Sequence, residues 1–199
     1  MTAITTQMVK DLREKTGAGV LDCRKALDAT GGDIDKAAEM LIASGAGKAA
    51  KKSERTTNEG RVEGYVHPGN RVAVLVEVNC ESDFVAATEG FINFAHNLAL
   101  QIAFSQPRYV SEEQIPADVR EAQKAAYRQE AVAEGKNEMI ADKVAEGKMK
   151  KWLQDVVLFN QPFIKDPEVT IADLHKQIIA QTGENVVVRR FVRYELAEG

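Results

Sequence analysis

RVAVLVEVNCESDFVA, residues 71–86, is the stretch that decides the fold. Val72, Val74, Val76 and Val78 alternate onto one side of a strand, with Ala73 and Leu75 on the other. A strand that is apolar on both faces belongs in the middle of its sheet. The alternation then breaks at NCESDFV, residues 79–85, and a helix begins. Two acids, Glu81 and Asp83, flank a small hydroxyl residue, Ser82, and Phe84-Val85 follow. This junction has two readings. In the first, Ser82 or Asp83 caps the helix and Phe84 packs inward. In the second, the junction presents a rigid aromatic on a stiff element, the kind of side chain that anchors binding interfaces.

Working outward, Arg61 to His67 alternates weakly, with Val62 and Val66 on one side, and Pro68-Gly69-Asn70 is a turn. Two strands joined by a short turn make a hairpin. Downstream, Phe91, Ala95, Leu98 and Ile102 recur at helical spacing, with Ile92 and Ala99 beside them, until Pro107. Polar helical stretches follow, from about residue 116 to 134 and 139 to 158, with a basic cluster at Lys148–Lys151 and the single tryptophan, Trp152. Pro162 and Pro167 bracket a connecting loop. Ile171, Leu174, Ile178 and Ile179 share one face of a helix from Thr170 to Thr182 that stops at Gly183, and a last strand runs from Val186 to about Tyr194. The class is α+β, with a small, mostly antiparallel sheet packed by helices.

The first 45 residues read as three helices. Met8, Val9 and Leu12 mark the first, with Thr5 or Thr6 as its N-cap; Thr16-Gly17-Ala18-Gly19 breaks the pattern. Val20, Ala26 and Leu27 belong to the second, ending at Gly31-Gly32. Asp33 caps the third, whose stripe is Ile34, Ala37, Ala38, Leu41 and Ile42, closed by Ser44-Gly45. The predicted organisation is a three-helix module over 1–50, a linker over 51–60 and an α+β core over 61–199, with the small, locally basic stretch 46–60 reading as a linker or a helical arm. Charge supports a boundary there: residues 1–52 carry a net +2 and the remainder a net −6.

Over its 199 residues the chain is ordinary for a globular protein, 44% apolar and 28% charged, with a net charge of −4. That balance argues against a protein built to neutralise nucleic-acid phosphates. Two cysteines, Cys23 and Cys80, do not make a disulfide scaffold or a paired-Cys zinc site. The start, MTAITTQMVKDLREKTG, has no apolar core of a secretory signal, and no apolar run is long enough to span a bilayer, so a cytoplasmic protein without membrane contact is expected. No phosphate-binding loop, GxGxxG, GxSxG or HExxH occurs, and His67, His96 and His175 lie far apart in the chain with no metal-ligand spacing. We therefore expect no catalytic residue, no metal and no cofactor.

Two segments together carry a resemblance. TGAGVLDCRKAL at 16–27 and NCESDFVA at 79–86 resemble the signature stretches of the elongation factor Ts family, in the family's order. Thr16 through Leu27 fit throughout; in the second segment Ser82 stands where the family commonly has threonine, which keeps the capping hydroxyl. The C-terminal ENVVVRRFVRYELAEG, 184–199, is similar to the family's final strand. The resemblance implies a guanine-nucleotide exchange factor for elongation factor Tu. It implies that residues 1–50 form a ubiquitin-associated-like module docking on Tu through Arg13, Val20 and Leu21; simple core packing is the competing reading of Val20 and Leu21. It further implies that Ser82, Asp83, Phe84 and Val85 form the exchange wedge, with Phe84 entering the Tu nucleotide-binding domain. Longer members carry two copies of the hairpin–helix unit and this chain carries one, at about 61–104, so a homodimer binding two Tu molecules is expected. The C-terminal strand is a candidate for part of that dimer surface.

Three other readings compete. A small RNA-binding protein would use Lys48, Lys51, Lys52 and Arg55 with Arg189, Arg190 and Arg193; the net acidity opposes it. An enzyme would use Asp83 and His67 as acid and base, an isolated pair without supporting motifs. A ubiquitin-type adaptor would use the N-terminal module alone and leave most of the chain without a role.

Overall fold

The computed structural model describes residues 4–16, 18–52 and 55–197, with side chains for all of these except 45–52. Three helices come first: α1 (Thr6–Thr16), α2 (Val20–Ala29) and α3 (Ile34–Lys52). Thr5, not Thr6, caps α1, its Oγ1 accepting from the Met8 amide at 3.2 Å. Gly31 and Gly32 take φ of 65° and 92° between α2 and α3, a backbone only glycine enters without cost. Asp33 Oδ1 accepts from the Lys36 amide at 3.0 Å and caps α3. Leu12, Cys23, Ala26, Leu27, Ala37 and Ala38 are buried together as a small core.

Ser44-Gly45 does not close the third helix: α3 continues to Lys52, into the expected linker, the helical arm of the two readings of that stretch. Gly45 and Gly47 do not stop it because alanines and lysines around them are strong helix formers. Gly17 lies outside the described residues.

The hairpin is β1 (Glu59–Val66) and β2 (Val72–Cys80), antiparallel, with Gly64 opposite Leu75. β1 starts at Glu59, inside the last part of the expected linker. β5 (Val187–Glu195) pairs antiparallel with the other side of β2, so the order is β1-β2-β5 and β2 is central, as its two apolar faces required. Val74, Val76 and Val78 face inward onto α5 (Glu89–Ser105), which buries Phe91, Phe94, Ala95, Leu98, Ala99 and Ile102. The short α4 (Asp83–Ala86) links β2 to α5. α6 (Ala117–Ala133) and α7 (Glu138–Val156) form an antiparallel helical hairpin. The stretch between Pro162 and Pro167, expected as a loop, is a small two-stranded ribbon of β3 (Pro162–Phe163) and β4 (Asp166–Thr170). α8 (Ile171–Thr182) opens on a capping box of Thr170 and Asp173 and ends at Gly183 with φ of 74°.

The inner face of the sheet is filled, and the outer one is not. Val62, Val66, Leu75, Val192 and Tyr194 project from it, exposed. A bulge in β5 leaves Arg189 without a ladder partner, and both Arg189 and Arg190 reach Glu77, at 3.0 and 2.7 Å. The Arg190 guanidinium holds the Glu77 carboxyl below its ordinary range.

Candidate partner-binding site

The anomaly at the strand–helix junction lies at the end of β2. Ser82 sits in extended backbone as the N-cap of α4, and its Oγ accepts from the Val85 amide at 3.3 Å. Val85 is only 6% exposed and anchors the short helix to the core. Phe84, one position earlier, points the other way and is 79% exposed. Phe84 does not pack inward. A phenylalanine left in water on an anchored element forgoes roughly 2 kcal/mol of burial, so its position is not explained by stability. Asp83 is exposed beside it, an acid in the first turn of α4, where a helix N-terminus favours negative charge.

Two carboxylates brace this junction from opposite directions. Glu184, just past α8, accepts at Oε2 from the amides of Glu81 and Ser82, each at 3.0 Å, and at Oε1 from the Ser82 hydroxyl at 2.6 Å. Glu81 Oε1 in turn accepts from the Asn185 amide at 2.6 Å. The buried Asn185 donates through Nδ2 to the Arg55 carbonyl at 3.0 Å, and Arg55 Nη1 lies 3.5 Å from Glu81. The Cys80 thiol donates to the Ser82 carbonyl at 3.1 Å. Burial, with Glu184 nearby, pushes that thiol up, which leaves it an inert partner rather than a nucleophile. Cys23 is likewise buried with its thiol pushed up, chiefly by burial.

Neither Glu184 nor Asn185 is marked as a site residue by the sequence, and Arg55 stands there only as one of a basic cluster. Their partners lie more than a hundred residues away for Glu184 and Asn185, and no local spacing marks such a pair. The one visible hint was an acid and an amide directly after a helix-stopping glycine, GEN at 183–185.

The second group of expected contact residues lies on the three-helix part. α2 turns Cys23, Ala26 and Leu27 inward at i, i+3 and i+4. Val20 and Leu21, in its first turn, are left 52% and 73% exposed, so they are not core residues. Arg13, on α1, is exposed too.

The acid–base pair of the enzyme reading is not assembled. His67 bonds Val72 across the turn at one end of β2, while Asp83 follows its other end. A nine-residue strand separates them by about 26 Å at ~3.3 Å per residue. The fold does bring His67 and His96 to the same tyrosine, each ring 6.0 Å from that of Tyr65, a juxtaposition hidden in the sequence. Tyr65 Oη lies 2.9 Å from His67 Nδ1, and Glu63 sits 3.2 Å from His96 and 2.6 Å from Arg61. Burial opposes the Glu63 charge, but these two partners outweigh it and hold its carboxyl below its ordinary range. Among the described residues no group of His, Cys, Asp and Glu has the arrangement of a metal site, and no helix is long and apolar enough to cross a membrane.

Of the basic residues in the RNA-binding reading, Arg189 and Arg190 are paired with Glu77, Arg193 with Glu195 and Arg55 with Glu81. The side chains of Lys48, Lys51 and Lys52 lie outside the described residues.

Comparison with known proteins agrees with the two signature stretches. Residues 7–198 match the sequence model of the family described as Elongation factor TS. The chain is 50% identical to Elongation factor Ts of Carboxydothermus hydrogenoformans over 196 residues, covering 98% of this chain and 90% of that one. It is 49% identical to Elongation factor Ts of Caldanaerobacter subterraneus subsp. tengcongensis over 196 residues, 98% of each chain. The protein of the same name from Herpetosiphon aurantiacus is 50% identical over 194 residues, again 98% of each. With its two signature stretches in order and a match along nearly its whole length, the chain belongs to the elongation factor Ts family.

Proposed function

We propose that this protein is a guanine-nucleotide exchange factor for elongation factor Tu, acting in translation elongation in the cytoplasm and without an active site of its own. The observation that carries the reading is Phe84, a large aromatic 79% exposed on a junction braced by five hydrogen bonds between Glu81–Ser82, Glu184–Asn185 and Arg55. Phe84, with Ser82, Asp83 and Val85 shaping its presentation, enters the nucleotide-binding domain of Tu as a wedge. Arg13, Val20 and Leu21 dock the N-terminal helices, a ubiquitin-associated-like module, on the same partner.

The chemistry needed is linkage rather than catalysis. Nucleotide and exchange factor both bind Tu, and each weakens the other through a shared coupling free energy. The magnesium ion held by Tu neutralises phosphate charge, so a wedge that disturbs its ligands removes much of the nucleotide's affinity. GDP leaves, GTP enters, and by the same reciprocity GTP expels the factor.

The exposed outer face of the sheet supports a homodimer, and so a 2:2 complex with Tu. Leu75 is 53% exposed at the centre of that face, flanked by Val62 and Val192. An apolar sheet face closed by its own copy gives a two-layered sandwich and removes this surface from water.

The test is release of a fluorescent GDP analogue from purified Tu of the same source. Catalytic amounts of this protein are expected to accelerate release, and unlabelled GTP to complete the exchange. Release at the spontaneous rate, from a Tu competent with another exchange factor, would overturn the reading.

A further inference from the structure

We propose that Glu184 is a positioning residue for Phe84: its carboxylate, placed by the C-terminal end of α8, fixes the backbone at Glu81-Ser82 and so sets the direction in which the aromatic is presented. This rests on the wedge reading given above.

Three observations carry it. First, Phe84 is largely in water, so packing of its own ring cannot orient it. Second, α4 is four residues long, far too short to hold itself by helix propagation. Its direction is set by the two residues that tie it down, Val85 in the core and Ser82 at its cap. Third, Glu184 saturates Ser82: one oxygen takes the Ser82 hydroxyl at 2.6 Å, and the other takes the Ser82 and Glu81 amides at 3.0 Å. With its hydrogen committed to Glu184, the Ser82 oxygen keeps its lone pairs toward the Val85 amide.

Glu184 is itself held. The α8 helix ends at Gly183 in left-handed backbone, the Glu184 amide donates to Thr182 Oγ1 at 3.3 Å, and Asn185 is buried. The reciprocal bond from the Asn185 amide to Glu81 at 2.6 Å prevents the two segments from sliding past one another. The chain leaving α3 enters the same cluster through the Arg55 carbonyl. The base of the wedge therefore joins three parts of the molecule: the connection from the N-terminal helices, the central strand and the last helix.

The experiment is a double-mutant cycle between Glu184→Ala and Phe84→Ala. It reads maximal GDP release from Tu at saturating factor, with amide hydrogen exchange over residues 81–86 measured on each protein without Tu. Glu184→Ala is expected to speed amide exchange at Ser82 and Val85 and to lower maximal release about tenfold in the parent background. In the Phe84→Ala background it should cause no further loss, because residues acting through one another are non-additive. Glu184→Gln, which keeps the shape and a carbonyl acceptor, should retain most of the activity; Glu184→Asp, which withdraws the carboxylate from Ser82 by one methylene, carries the cycle should the alanine variant not fold. Unchanged amide exchange at 81–86 would overturn the proposal whatever Tu does. The same fold loss of release in both backgrounds would also overturn it, by showing that Glu184 serves only general integrity. Full release by Phe84→Ala alone would instead sink the wedge, and amide exchange would then show whether Glu184 still fixes the junction.

Discussion

His175 shows how much one side chain decides. Its ring lies near-parallel to those of Phe159 and Phe94, with centroids 4.9 and 6.3 Å away, and its Nε2 donates to the Val186 carbonyl at 2.6 Å. Burial pushes its pKa below the ordinary 6.5, with neighbouring Lys176 adding to the effect. The folded protein thus refuses a proton that the unfolded chain accepts, so stability is full above about pH 6.5 and falls as pH drops below it. Asp173 and Glu63 are depressed carboxylates with ordinary values of 3.8 and 4.5, so their own losses come only at lower pH. Melting temperature measured from pH 7 to about pH 5 is expected to fall in the parent and to fall less in His175→Gln. Equal slopes would contradict this account. At the same scale, the residues of the candidate site divide by how local their evidence is. Ser82, Asp83 and Phe84 were legible because a cap, an acid and an aromatic within three positions make a local anomaly. The direction of Phe84 was not, because it depends on Glu184, a neighbour only in space.

Elements were read well wherever the pattern was internal to the element. The central place of β2 followed from valines on one face and Ala73 and Leu75 on the other, and α8 from its apolar stripe and Gly183. Ends governed by tertiary contact were not. The prolines of 162–167 border a ribbon whose pairing has no pattern of its own in so short a stretch, and α3 outruns its glycines among strong helix formers. Gly60, assigned to a linker, is a strand residue with φ of 147°. A Cβ there would stand 2.3 Å from the Val78 carbonyl oxygen and 2.6 Å from the Asn79 Cα. Both neighbours are backbone of the central strand and cannot give way. Gly60→Ala is expected to cost about 2 kcal/mol or more, read as a lower urea midpoint at unchanged slope. An unchanged midpoint would mean that β1 is free to separate from β2 at this end.

For the whole molecule, the sheet has one filled face and one open face. α5 covers the inner side, while Val62, Leu75, Val192 and Tyr194 on the outer side are exposed and belong to none of the core clusters among the described residues. If a second copy closes that face, Leu75→Glu places a charge at its centre and should yield a monomer by analytical ultracentrifugation, with the fold retained because the side chain is already half in water. A parent that sediments as a monomer at micromolar concentration would remove the 2:2 complex from the account. The claim on which the rest depends is the wedge, and Phe84→Ala tests it most directly. Because Phe84 is 79% exposed, the substitution should shift stability by no more than about 0.5 kcal/mol. The account predicts that release of fluorescent GDP from Tu, at saturating factor, falls at least tenfold in this variant while its melting temperature stays that of the parent. Release at the parental rate by the folded variant would contradict it.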